Sequence, residues 1–93
     1  MSEGSQLSHT EKLVAEAFAR ALESDTLPGR DDDIFGLGGD SLTAVRVALA
    51  LERTFGVEVP PELLEEAPSV SLLAAWLDKT RAHDRHVRSE ADS

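Results

Sequence analysis

The 93-residue sequence contains no cysteine. Disulfides, thiolate metal sites and a cysteine nucleophile are therefore excluded, and packing is left as the main source of stability. Aromatic residues are scarce, at 4%, and comprise Phe18, Phe35, Phe55 and Trp76. The core must be built from Leu, Val and Ala, which favours helices over sheets. No apolar run approaches the roughly 18–20 residues that span a bilayer, and Met1 to Gln6 carry neither the basic nor the apolar segment of a secretory signal. A cytoplasmic protein is expected. At this length one domain is expected, too small for a large enclosed active site.

Positive charge is also sparse. Residues 1–78 hold five Lys/Arg against fifteen Asp/Glu, whereas 79–93 hold four against three, within a net charge of −9. An acidic body repels phosphodiester backbones and anionic lipids, so neither nucleic acid nor membrane is an expected partner, and basic protein surfaces are favoured.

Regular structure reads as all-α. Residues 1–7 are small and polar and read as a flexible N-terminus. Ser8 and Glu11 fit a capping box, and Leu13, Val14, Ala17, Phe18, Ala21 and Leu22 form one apolar stripe, which predicts a helix over 9–24. From Asp25 to Asp40 the period is lost among Pro28, Gly29, Asp31–Asp33, Gly36, Gly38 and Gly39. A loop this long is often functional, and Ile34, Phe35 and Leu37 are expected to pin it to the core. The aspartate run lacks the ligand alternation and glycine of a calcium loop and reads as solvated.

Asp40 is placed to cap a second helix, Ser41–Phe55, with Gly56 at its left-handed end. Ala44, Val47, Ala48, Leu51 and Phe55 share one arc of that helix, while Leu42, Val45 and Leu49 lie almost opposite, flanked by Arg46 and Arg53. Two apolar stripes cannot both face one small core, so the second is expected to be exposed. After Pro60-Pro61 a short third helix is expected through Glu66. A fourth follows Pro68, capped by Ser69 or Ser71, with Val70, Leu73, Ala74 and Leu77 on one face and an end near Arg81. Residues 82–93 read as an unstructured tail.

No catalytic constellation is apparent. His9, His83 and His86 lie at the two ends of the chain, and the i, i+3 pair His83/His86 lacks the further ligands of a metal site. Gly39-Asp40-Ser41-Leu42 spells the motif of a family of serine esterases, but no apolar strand precedes it and no Asp-x-x-His completes a triad. What remains is a serine on the first turn of a helix, after Gly38-Gly39, where free amides and the helix dipole favour a phosphoryl group. The glycines either leave that serine accessible, shape the turn into the helix, or do both.

Asp33-Ile34-Phe35-Gly36-Leu37-Gly38-Gly39-Asp40-Ser41-Leu42 closely resembles the attachment motif of phosphopantetheine-dependent carrier proteins. Phe55-Gly56-Val57-Glu58-Val59-Pro60 and Ala67-Pro68-Ser69-Val70 extend the resemblance over about residues 8–80. It implies a four-helix carrier-protein bundle, three longer helices and one short, with the long loop between helices 1 and 2 and a carrier domain at 8–81. Leu-Gly-Gly-Asp-Ser-Leu is most similar to the peptidyl carriers of nonribosomal peptide synthesis, and Arg46 and Arg53 stand where fatty-acid carriers are acidic.

Asp40 replaces the histidine of many peptidyl carriers, which leaves polyketide-type or epimerisation-linked carriers as an alternative; an unmodified helical interaction module is another. Glu65 replaces a usual aromatic, implying a more loosely packed third helix. The resemblance further implies a non-catalytic protein that a phosphopantetheinyl transferase, using coenzyme A and magnesium, modifies on Ser41 with 4′-phosphopantetheine, next to Gly39, Asp40 and Leu42. The cofactor thiol would hold an aminoacyl, peptidyl or other acyl group as a thioester, and adenylation, condensation or other acyl-transfer enzymes would dock on Leu42, Val45, Arg46, Leu49 and Arg53. The flanks are too short for a fused catalytic domain, so a free-standing monomer is expected.

Overall fold

A computed structural model describes residues 7–92, and side chains as far as residue 82. Its elements are α1 (His9–Leu22), α2 (Ser41–Phe55), α3 (Leu63–Glu66) and α4 (Val70–Asp92). No strand occurs among the described residues. α1 packs against both α2 and α4. That double contact explains why Ala15 and Ala19, outside the single stripe read from the sequence, are buried together with Val14, Ala17 and Phe18.

The core is completed by Val47, Ala48 and Leu51 from α2, Leu64 from α3, Val70, Leu73, Ala74 and Leu77 from α4, and by Ile34 and Val59 from the connections. Leu7 packs on the margin of this cluster, so the expected flexible N-terminus is already tied down at residue 7; residues 1–6 lie outside the described residues.

The helix ends follow local chemistry. The Glu11 N–H donates to Ser8 Oγ at 3.1 Å, and the Ser8 N–H donates to Glu11 Oε1 at 2.9 Å, closing the capping box of α1. Glu11 is buried, and its second oxygen accepts from Arg30 Nη2 at 3.0 Å, tying the long loop to α1. α1 ends at Leu22, two residues earlier than expected, because Glu23 takes the left-handed conformation (φ 56°) and the Ser24 N–H reaches back to Ala19 O at 2.8 Å. No glycine marks that stop. α2 has the expected bounds, with Asp40 as N-cap and Gly56 (φ 71°) at its end.

Ser69 rather than Ser71 caps α4, accepting from the Leu72 N–H at 3.2 Å. The helix was expected to end near Arg81 and give way to an unstructured tail; it instead continues to Asp92. Neither glycine nor proline follows Pro68, and residues 79–92 are mostly Ala, Lys, Arg, Glu and other residues compatible with a helix, so nothing local stops it. The His83/His86 pair lies outside the residues whose side chains are described.

The loop between α1 and α2 is stapled to the start of α4. The Ile34 N–H donates to Pro68 O at 2.9 Å and the Ser71 N–H to Arg30 O at 2.8 Å, around an isolated bridge between Asp33 and Ser69. Ile34 is fully buried there, but Phe35 and Leu37 are 37% and 42% exposed, contrary to the expectation that all three anchor the loop. The reason lies in Asp33, whose Oδ1 accepts from the Phe35 and Gly36 N–H groups at 2.7 and 3.1 Å. This Asx-type turn swings the chain back toward α2 and leaves the two apolar side chains on the outside. Asp32 instead reaches back along the chain, accepting from the Gly29 N–H at 2.8 Å.

Candidate functional site

Ser41 is exposed on the first turn of α2, and three features fix its position. The first is the cap. Asp40 Oδ1 accepts from the Thr43 N–H at 3.0 Å, while the Asp40 N–H donates to Thr43 Oγ1 at 3.2 Å, so side chain and backbone lock the turn reciprocally. The Thr43 N–H first, and then the Thr43 hydroxyl, which donates to Asp40 Oδ1 at 3.0 Å, hold the Asp40 carboxyl below its ordinary value of 3.8. The carboxylate nearest to Ser41 in sequence is thereby committed to capping.

The second is the glycine pair, whose members have different tasks. Gly38 has φ +103° with open space where a side chain would stand, so it supplies a conformation that L residues rarely adopt. Gly39 supplies a close approach: a Cβ there would lie 2.8 Å from Ile34 O and 3.1 Å from Thr43 Cγ2. Its N–H donates to Ile34 O at 2.9 Å, coupling the turn before Ser41 to the one fully buried loop anchor. The pair therefore shapes the turn into α2, Gly38 through its left-handed backbone and Gly39 through its close packing.

The third is the split of α2 into two faces. Ala44, Val47, Ala48 and Leu51 are buried, while Leu42 and Leu49 are 58% and 54% exposed and Val45 also reaches solvent. Arg46 and Arg53 are exposed beside them. Phe55, placed by periodicity on the core face, sits at its margin, and the Arg81 guanidinium stacks over its ring at 5.2 Å.

The sequence reading missed a groove of about 130 Å³ between the first turns of α2 and α3. Ser41 lines it together with the apolar Phe35, Ala44, Val45 and Pro61 and with the carboxylates Glu62 and Glu65. Glu65 is exposed, and Leu64 takes the core position instead, fully buried, so α3 is anchored despite lacking an aromatic. Among the described residues no group of His, Cys, Asp or Glu is arranged to hold a metal ion. No described helix is long and apolar enough to cross a membrane.

A family model described as a phosphopantetheine attachment site matches residues 12–77. The chain belongs to this family. As a carrier domain of this family it bears 4′-phosphopantetheine, and the site fits such a group: an exposed hydroxyl at a capped helix start, with open space beside Gly38. The non-canonical nonribosomal peptide synthetase CymA of Salinispora arenicola is 41% identical over 69 residues, 74% of this chain but 1% of CymA. A solved complex of the phosphopantetheine transferase Sfp with coenzyme A and a peptidyl carrier protein includes a chain matching with a TM-score of 0.72 at 30% identity, covering 77% of this chain and 92% of that one. McyG A-PCP, solved with phenylalanyl-adenylate, matches with a TM-score of 0.71 at 29% identity over 82% of this chain and 12% of its own. The fold is that of the carrier proteins.

Proposed function

We propose that Ser41 is the residue that carries the phosphopantetheine and that the chain is a peptidyl-type carrier in nonribosomal peptide synthesis. The observation that carries this reading is the exposed Ser41 hydroxyl on a turn held rigid by Asp40, Thr43 and Gly39. The motif around it and the likeness to CymA support it.

In the modification, the Ser41 oxygen attacks the pantetheine-bearing phosphorus of coenzyme A. A phosphodiester forms, the pyrophosphate bond breaks, 3′,5′-adenosine bisphosphate leaves, and the serine proton passes to a base on the transferase. The carrier supplies position rather than acid–base chemistry, since Asp40 is occupied by the cap. The attached cofactor contributes a thiol that holds an acyl group as a thioester.

Leu42, Val45 and Leu49, rimmed by Arg46 and Arg53, form the docking face for the transferase and for adenylation, condensation or other acyl-transfer enzymes. The Sfp complex and the phenylalanyl-adenylate structure are relatives in which partners of the first two kinds of chemistry are represented. A small apolar patch with a charged rim suits weak, exchangeable contacts, because a carrier must leave each partner.

Incubation with a phosphopantetheinyl transferase, coenzyme A and magnesium, followed by intact-protein mass spectrometry, tests the reading. One phosphopantetheinyl adduct is expected on the wild type and none on Ser41→Ala. An unmodified wild type, under conditions that fully modify a control carrier, would leave the helical interaction module as the better account.

A further inference from the structure

The groove between α2 and α3 is lined in part by Ser41 itself, and its chemistry points to what fills it during modification. Its 130 Å³ is several times the ~10–15 Å³ that a single water needs, so it admits the end of one long side chain. Phe35, Val45 and Pro61 offer apolar surface, Glu62 and Glu65 offer solvent-exposed carboxylates, and no basic residue lines it. That combination matches lysine or arginine, whose methylene stem packs on apolar surface while the cationic head stays at a polar edge.

The identity of the partner follows from the reaction, on the reading that Ser41 is the modified residue. An enzyme that delivers coenzyme A must hold a pyrophosphate and a ribose phosphate, and it does so with cationic groups. For the bond to form, the pyrophosphate must come within about 3–3.5 Å of the attacking oxygen. Everything lining the same groove as Ser41 is then pressed against the rim of a basic site.

We propose that the groove receives a basic side chain from the rim of the transferase's coenzyme A site, and that Glu62 and Glu65 determine how well this carrier is recognised by that partner. Glu65, which takes the place of the family's usual aromatic, then serves recognition while Leu64 serves the core.

The test is steady-state kinetics of phosphopantetheinylation by Sfp with coenzyme A. The Glu62→Gln/Glu65→Gln variant should raise KM for the carrier roughly three- to tenfold at physiological ionic strength, in line with one to two exposed charge pairs. Its kcat should match the wild type, and the difference should narrow as salt is added.

A variant with the same change of net charge, Glu16→Gln/Glu58→Gln, is the control. Glu16 lies beside Ala50 and Thr54, and Glu58 just beyond Gly56. Along α2, at ~1.5 Å per residue, these positions lie roughly 14–20 Å or more from Ser41, beyond the Debye length of ~8 Å at physiological salt. This control should leave KM unchanged. An unchanged KM in the groove variant, an equal rise in the control, or a fall in kcat alone would overturn the proposal while leaving Ser41 as the attachment residue. Failure of Sfp to modify the wild type would instead overturn the reading of Ser41 on which the proposal rests.

Discussion

Truncating two leucines on the same helix should have opposite consequences, and the contrast follows from their exposure. Leu51 is fully buried in the core, and Leu49, two residues earlier, is 54% exposed. Leu51→Ala removes buried methyl groups and leaves a cavity, which costs about 2–5 kcal/mol. A domain of this size has a total stability on the order of 5–14 kcal/mol, so the variant should lose a large part of its folding margin. Full burial of a leucine is worth roughly 1.5–3 kcal/mol. Leu49 has realised only about half of that, so Leu49→Ala should cost no more than about 1.5 kcal/mol.

Urea unfolding followed by far-ultraviolet circular dichroism gives both numbers, and mass spectrometry gives the rate of phosphopantetheinylation. Leu49→Ala should fold almost as well as the wild type yet be modified more slowly; Leu51→Ala should unfold early. Equal destabilisation by the two substitutions would show that the Leu42, Val45, Leu49 stripe belongs to the core, and the docking face would have to be abandoned.

Gly39→Ala forces a Cβ to 2.8 Å from a backbone oxygen of the buried Ile34, an overpacking that costs about 1–3 kcal/mol. A melting temperature lower by roughly 4–8 °C per kcal/mol is expected, together with slower modification of Ser41; an unchanged melting temperature would show that the turn is not tightly packed. Asp40→Ala should lower the melting temperature at neutral pH by removing the cap. Because the Asp40 carboxyl is held below 3.8 in the folded chain, its contribution is fully present above that value and is lost as pH falls through the folded value. The melting temperatures of variant and wild type should therefore converge in acid, and a constant gap across the titration would contradict the assignment.

Much of the fold was legible because helix ends are written in single residues. Ser8 with Glu11, Asp40 and Gly56 each act through hydrogen bonds within a few positions, and the two stripes of α2 follow from periodicity alone. The misreadings fall where the deciding partner is distant or carries no local signal. Glu23 takes a left-handed conformation normally left to glycine, so the end of α1 was placed two residues late.

Ile34, Phe35 and Leu37 were indistinguishable within an aperiodic loop. Only the hydrogen bonds from the Ile34 N–H to Pro68 and from the Phe35 N–H to Asp33 separate the anchor from the exposed pair. The differing tasks of Gly38 and Gly39 depend on where Ile34 O and Thr43 lie. The groove joins three segments, and its single sequence signal was Glu65 in place of an expected aromatic.

The central claim is that one hydroxyl among nine serines receives the cofactor. The direct measurement is tandem mass spectrometry of peptides from the wild type after reaction with the transferase and coenzyme A, with fragment ions assigning the phosphodiester to a residue. The account predicts the whole adduct on Ser41 and an unmodified Ser41→Ala variant. An adduct on any other serine, or one that persists in the variant, would contradict it.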